Sequence, residues 1–383
     1  MNFEFATATR IVFGAGKLAE AGRIAGTLGK RAIIVIGKSG GAIQRAEPLL
    51  YQLDECATFS VAGEPTFDDV RIGAQRARDE QCDFVISFGG GSVIDTGKAI
   101  AMLLANDGEP LDYAEVIGRG QSIIKPSAPF VAIPTTAGTG AEVTRNAVLG
   151  SLEHHVNPAQ GGVKVSLRSS LMLPRVALVD PELTYELPPV ITARTGLDAL
   201  TQLIEPFVSN KANPMTDALC RDGMQRVARS LRRAFEHGDD PAAREDMSLA
   251  ALFSGMALAN AALGAVHGFA AALGGMFDTP HGALCAALLP HAMRVNVRAL
   301  AAGDEDGARR VRLQRFDEVA RILTGNNRAT AVDGVAWVSD LCRALGVVGL
   351  SKYGVRREHF PILIEKAKAS NSMKGNPIAL SDD

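Results

Sequence analysis

Cysteine is scarce in this chain of 383 residues, and Cys56, Cys82, Cys220, Cys285 and Cys342 form no CxxC pair. An odd, scattered set excludes a disulfide framework and zinc-finger ligation, and reads as buried or half-buried free thiols. An excess of either charge is also missing: 40 Lys and Arg face 42 Asp and Glu, for a net charge of -2. That balance gives no broad electrostatic reason to expect nucleic acid or an anionic membrane as a partner. No apolar run reaches the roughly 20 residues that span a bilayer. The opening MNFEFATATR lacks a basic segment followed by an apolar run, so the expected location is cytoplasmic. Internal repeats and low-complexity tracts are not evident. With 47% hydrophobic and 21% charged residues, the composition is that of a globular chain rather than a disordered or fibrous one.

The first half alternates strand-like and helix-like segments. Residues 31–37, 83–88 and 129–134 are short, β-prone apolar runs, and a helix-compatible stretch through Leu49-Leu50 follows the first. Such runs separated by helices predict a parallel sheet buried on both faces, with ligands beyond the carboxyl ends of its strands. After VALVDP at 176–181 the pattern changes. Residues 193–208, 214–235, 242–263 and 332–345 have helical periodicity, with Pro189, Pro206, Pro214, Pro241 and Pro290 as expected interruptions. Residues 301–308 read as a polar surface loop. The predicted organisation is an α/β domain over 1–183 and an all-helical domain over 184–383.

Two loops in the α/β half carry the signature of a phosphate site. Gly89-Gly90-Gly91-Ser92-Val93-Ile94-Asp95 follows a predicted strand and opens a predicted helix. Glycines permit a tight turn and close approach of a pyrophosphate, and the helix start offers free N–H groups. The run is neither GxGxxG nor the GKS/T of a nucleotide-hydrolysing loop, and alone it reads equally as a plain turn. Asp95 either hydrogen-bonds back to the loop or reaches toward a ribose. The second loop, PTTAGTGAEVT at 134–144, follows another strand-like run and supplies small hydroxyl donors. Arg31 and Lys38 are further candidate phosphate partners.

The helical half contains candidate metal ligands. Asp198 and Gln202 are four apart on one helical face of an otherwise apolar segment. A carboxylate buried there needs a cation. His267 and His281 are candidate companions, and three Asp/His ligands suit Fe²⁺ or Zn²⁺ with a position left for a substrate oxygen. Singly, each His reads as an ordinary core or capping residue. His154, His155 and His237 carry less information, the first two reading as part of a loop or hairpin and the third as exposed.

The assembled pattern resembles the iron-containing alcohol dehydrogenase family over nearly its full length. The matching features, in order, are FGAG at 13–16, GGGSVID at 89–95, PTTAGTGAEVT at 134–144, VDPEL at 179–183, TGLDAL at 195–200, His267-Gly268 and Pro280-His281-Gly282. The resemblance implies an N-terminal dinucleotide-binding α/β domain, a helical C-terminal domain of dehydroquinate synthase-like architecture, NAD(H) or NADP(H), a divalent metal and a homodimer. It assigns Gly90, Gly91, Ser92, Asp95, Thr135, Thr136 and Thr144 to the cofactor, and Asp198, Gln202, His267 and His281 to the metal.

Three positions depart from the family's pattern. Gln202 stands where a His is common, which puts a weaker amide ligand at the metal. Ala271 stands where a second His often follows the first by one turn, so a histidine proton relay is lacking there. Gly37, followed by Lys38-Ser39, stands where many members carry an Asp for the ribose hydroxyls. Losing that carboxylate removes repulsion against a 2′-phosphate, which keeps NADP(H) beside NAD(H).

The expected reaction is hydride transfer between nicotinamide and a small alcohol or aldehyde, with the metal polarising the substrate oxygen. Two alternatives stand beside it. One is a metal-independent reductase like the maleylacetate reductases, with His267 or His281 as hydrogen-bond donor and Gln202 orienting. The other is a metal-dependent lyase or cyclase related to dehydroquinate synthase. Lys164, Arg168 and the His154-His155 pair read either as contacts for an anionic substrate or as a solvated basic loop.

Overall fold

A computed structural model describes residues 2–38, 41–115, 117–151, 163–302 and 307–382. Its contacts divide the chain into two compact units: Ala6–Thr136 with Gly140–Thr184, and Tyr185–Asp383 with the short segments Met1–Phe5 and Ala137–Thr139.

The first unit is built on a six-stranded parallel sheet, with strand order β1-β8-β5-β4-β2-β3. The strands are β1 (Arg10–Phe13), β2 (Ala32–Gly37), β3 (Cys56–Val61), β4 (Phe84–Gly89), β5 (Phe130–Pro134) and β8 (Val176–Val179). The central runs are apolar apart from buried Ser87, because both faces are covered. Ile33 and Val35 join Val85 and Ala132 in one core layer, while Ile34 and Ile36 join Ile86 and Ile133 in the other. Helices α3 (Phe67–Asp79) and α4 (Gly91–Ala105) close the first layer; α1 (Ala21–Ala25) and α2 (Ala42–Leu50) close the second. Helix α4 lies so close to the sheet that a Cβ on Gly97 would stand 2.0 Å from Ser87 Oγ. An antiparallel hairpin, β6 (Asn146–Ser151) and β7 (Val163–Arg168), completes the unit.

The second unit is helical: α5 (Pro189–Val208), α6 (Pro214–Glu236), α7 (Pro241–Asn260), α8 (Ala265–Met276), α9 (His281–Ala301), α10 (Gly307–Thr324), α11 (Ala331–Ala344) and α12 (Phe360–Ala369). The proline expectation needs correction. Pro189, Pro214 and Pro241 open their helices at the first position, where a missing N–H costs nothing. Pro206 and Pro290 lie inside α5 and α9 without ending them. At Pro290 a compensation is visible: the Ala286 carbonyl, deprived of its helical donor, accepts from Cys342 Sγ at 3.6 Å. The predicted loop at 301–308 is also shorter than expected, since α9 runs through Ala301 and α10 starts at Gly307; residues 303–306 lie outside the described residues. Among the described residues, no single helix is long and apolar enough to cross a membrane.

Candidate active site

In the α/β unit, the structure brings the glycine and threonine loops together. Thr135 N–H donates to Gly89 O at 3.0 Å, and a Cβ on Gly90 would meet Thr136 Oγ1 at 3.4 Å. Gly90, Gly91, Ser92, Thr135 and Thr136 therefore gather where β4 and β5 end. Helix α4 starts there with no side-chain cap and no acidic residue in its first turn. Its orphan N–H groups and positive dipole end form a ready anion site. Gly37 closes β2 at the same edge of the sheet, and exposed Lys38 follows, its N–H bonded to Val61 O at 2.7 Å. Ser39 and the His154-His155 pair lie outside the described residues.

Three sequence expectations in this unit need correction. Arg31 precedes β2, at the opposite end of the strand from this edge, and ion-pairs with Glu80 at 3.0 Å and Glu55 at 3.7 Å. Asp95 does not return to its loop: Oδ2 accepts from Val148 N–H at 3.0 Å, and Oδ1 lies 3.5 Å from Lys98 Nζ. Lys164 and Arg168 belong to β7 rather than a loop, and face Glu64 and Glu115.

Lys98, which the sequence reading passed over, organises this interior. Its fully buried ammonium donates to Ala141 O (2.9 Å), Thr144 Oγ1 (2.9 Å) and Asn146 O (2.7 Å). Thr144 is thereby engaged inside the protein. Burial pulls the Lys98 ammonium down and pushes Asp95 up, and their mutual attraction opposes both shifts. Buried Glu142 is pushed up to about 7 by desolvation.

The helical unit holds the second candidate centre. Ligand atoms of Asp198, His267, His281 and Cys285 all lie within 4.8 Å of one another. Asp198 and Gln202 project from one face of α5, and Glu205, seven residues after Asp198, continues that face. Glu205 fixes the histidine: Oε1 accepts Val266 N–H at 2.7 Å, and Oε2 receives His267 Nδ1 at 2.7 Å. A carboxylate only accepts, so the Nδ1 proton sits toward Glu205 and leaves Nε2 as the nitrogen that faces the cluster. Asn376 Oδ1 takes Ala265 N–H at 3.2 Å, so the start of α8 is capped by distant side chains.

His281 opens α9, where Gly282 allows a close approach: a Cβ there would stand 2.5 Å from the Arg194 carbonyl. Cys285 is one turn further on, its Sγ 3.6 Å from His281 Nε2 and 3.9 Å from His267 Nε2. Asp198 Oδ1 is buried with no hydrogen-bond partner, 3.7 Å from His267 Nε2 and 3.8 Å from His281 Nε2. Those distances are too long for hydrogen bonds and suit donors arranged around a shared ion.

The electrostatics agree. Burial pulls both imidazoles down, but the Cys285 sulfur and the neighbouring carboxylates outweigh it. His267 ends well above the ordinary histidine value and His281 at about 9. For Asp198, burial is again opposed, here by the two imidazoles, and the net shift is downward. Such a centre favours positive charge, as protons on the imidazoles or as a divalent cation. The donor set of carboxylate, two imidazoles and thiol fits such an ion. Gln202 is placed differently from the other three predicted ligands: it is buried, and its Oε1 accepts from Ser254 Oγ at 3.1 Å. Ala271 is exposed on α8.

A family model described as "Iron-containing alcohol dehydrogenase" matches residues 8–181, and one described as "Fe-containing alcohol dehydrogenase family, C-terminal" matches residues 192–383. The chain belongs to the iron-containing alcohol dehydrogenase family. It is an oxidoreductase acting on CH–OH groups, with the parallel α/β unit and helical C-terminal region that the sequence predicts. The 1,3-propanediol dehydrogenase of Klebsiella pneumoniae is 36% identical over 362 residues, covering 91% of this chain and 88% of that protein. A crystal structure of 1,3-propanediol oxidoreductase is 32% identical with a TM-score of 0.88, covering 100% of this chain and 97% of the other. Sulfoacetaldehyde reductase from Bifidobacterium kashiwanohense, solved in complex with NAD+, is 29% identical with a TM-score of 0.86, covering 100% and 96%.

The residues missed by sequence reading have recognisable signals. Glu205 stands at i+7 from Asp198, and Cys285 at i+4 from His281, each on the face already assigned to the centre. Lys98 follows Asp95 by three residues in a helix otherwise apolar around it.

Proposed function

We infer that this protein is an NAD(P)-dependent alcohol dehydrogenase or aldehyde reductase whose metal is held by Asp198, His267 and His281. The observation that carries this reading is the buried, unpartnered Asp198 Oδ1 facing two imidazole nitrogens. A divalent ion, Fe²⁺ or Zn²⁺, supplies a Lewis acid to a carbonyl or alkoxide oxygen when bound. Asp198 contributes negative charge, and Glu205 holds the His267 ring in its ligating tautomer. Gly90, Gly91, Ser92, Thr135 and Thr136 receive the dinucleotide pyrophosphate at the start of α4. Asp95 and Thr144 support that loop from within through Lys98.

Lys38 beside Gly37, with glycine rather than a carboxylate closing β2, favours acceptance of a 2′-phosphate, so NADP(H) is used as well as NAD(H). At Ala271 the side chain carries no exchangeable proton, so proton exchange runs through solvent or a ribose hydroxyl. The substrate is a small alcohol or aldehyde. The name of the sulfoacetaldehyde reductase relative supports including anionic aldehydes in that class. The enzyme works as a cytoplasmic homodimer.

The test is cofactor-linked turnover of an aldehyde panel, with and without carboxylate, phosphonate or sulfonate groups. Protein stripped of metal is compared with protein reloaded with Fe²⁺ or Zn²⁺. Activity that requires the ion and is lost in Asp198→Asn is expected. Full turnover by metal-free protein would replace this reading with the metal-independent reductase, in which His267 or His281 donates a hydrogen bond to the carbonyl and Gln202 orients.

A further inference from the structure

We propose that Cys285 is a ligand of the metal, completing an Asp198, His267, His281, Cys285 set from which Gln202 is withdrawn. This rests on the metal-dependent reading above and specifies its coordination. Three observations carry it. First, Cys285 Sγ lies among the ligand atoms, and all of them fall within 4.8 Å of one another. Second, the Gln202 amide oxygen lies 3.1 Å from the fully buried Ser254 hydroxyl, which it shares with Ala251 O at 2.8 Å, so the amide has a polar neighbour within the protein. Third, Asp198 Oδ1 is buried and unpartnered, so the centre presents an unanswered acceptor beside the thiol.

The spacing has the size of a coordination shell. Bonds of about 2.0–2.1 Å to nitrogen or oxygen and about 2.3 Å to sulfur, at tetrahedral angles, place sulfur about 3.6 Å from nitrogen and oxygen about 3.4 Å from nitrogen. The observed sulfur–nitrogen separations are 3.6 and 3.9 Å, and the oxygen–nitrogen separations 3.7 and 3.8 Å. These four edges are at or slightly beyond the expected length, and the remaining two lie within 4.8 Å, so a contraction on loading closes the shell.

The chemistry balances without a redox partner. On loading, the Cys285 S–H bond and the Nε2–H bonds of the protonated His267 and His281 break, each donor atom keeps its electron pair for the ion, and the protons leave to solvent. A thiolate also shifts the preference of the site toward softer ions than an all-oxygen and imidazole set would favour, with Zn²⁺ and Co²⁺ gaining over Fe²⁺.

Titration of metal-stripped full-length protein with Co²⁺ tests the assignment. One equivalent of bound cobalt with a thiolate-to-cobalt charge-transfer absorption is expected in the wild type, in Gln202→Ala and in the buried-thiol control Cys342→Ala. The absorption disappears in Cys285→Ala and in Cys285→Ser, and loss of cobalt to a chelator becomes at least about tenfold faster in Cys285→Ala. Cys285→Ser, which keeps a small polar side chain at the site, retains bound cobalt and so shows that the fold is intact. Stoichiometric cobalt without the absorption in the wild type, or an absorption that survives in Cys285→Ala, would overturn the proposal while leaving the metal-dependent reading standing. A wild type that binds no cobalt would overturn both.

Discussion

The two units each bury a cluster of charged groups, and they balance those charges in opposite ways. Around Lys98 every ammonium proton has an acceptor, from Ala141, Thr144 and Asn146; Asp95 Oδ1 also lacks a hydrogen bond, but the ammonium 3.5 Å away answers its charge. Around Asp198 a carboxylate oxygen is left without a hydrogen bond, and two imidazoles and a thiol converge on the same space. A buried charge satisfied by the protein's own atoms is scaffolding, because desolvation is already offset. A buried charge left unsatisfied implies a ligand from outside. The Lys98 cluster thus braces the threonine-rich loop from within, whereas the Asp198 cluster is the one proposed to receive an ion.

Lys98→Met separates the two most sharply. Removing the cation takes a donor from three acceptors and the counter-charge from Asp95, and the α/β unit should lose about 3–5 kcal/mol in chemical denaturation. Metal content of the protein that remains folded is expected to stay at one ion per chain. If stability is unaffected, the closed cluster is not scaffolding.

The next effect is a pH dependence confined to the α/β unit. Glu142 is raised from 4.5 to about 7, so the folded state holds its proton more tightly than the unfolded chain does. That contribution is fully present below about pH 4.5 and is lost as pH rises through about 7, a swing of about 3 kcal/mol. Glu142→Gln should flatten the corresponding slope in urea midpoints measured from pH 5 to 8. An unchanged slope would assign the dependence to other groups.

The smallest effects belong to the residues supporting the open cluster. Glu205→Gln weakens the hold on the His267 tautomer, and metal affinity should fall by about 10–100-fold by competition with a chelator. Ser254→Ala frees the Gln202 amide and should change affinity by less than about tenfold, since the amide is the poorer ligand. Equal losses in the two variants would mean that Gln202 coordinates after all.

The sheet was readable because a strand buried on both faces is apolar at consecutive positions, as in Ile33 to Ile36. The four-residue β1 was not, and the β6–β7 hairpin was legible only as a loop or hairpin around His154-His155, because short strands of mixed polarity have no period to detect. In the helical half, periodicity located α5 and α6, whereas the prolines misled. Pro206 and Pro290 persist within helices because tertiary burial outweighs one lost hydrogen bond. Asp198, His267 and His281 stood out as polar residues in apolar surroundings. Cys285 did not, since a cysteine is at home in a core and only its distance from two imidazoles distinguishes it. Asp95 and Thr144 were readable as members of loops, but their turn inward toward Lys98 depends on contacts across 46 residues or more for Thr144 and 53 for the Asp95–Val148 bond.

Ala271 gives the molecule a particular evolutionary freedom. It sits one helical turn beyond His267 and is exposed, so its side chain fills no part of the core. Substitution there carries little folding penalty, since surface changes on a helix usually stay within about 0.5 kcal/mol. A lineage can therefore vary the group beside the reacting centre in single mutational steps while the buried donors, which tolerate no such change, remain fixed. Libraries confined to position 271 should be rich in folded proteins whose substrate range differs.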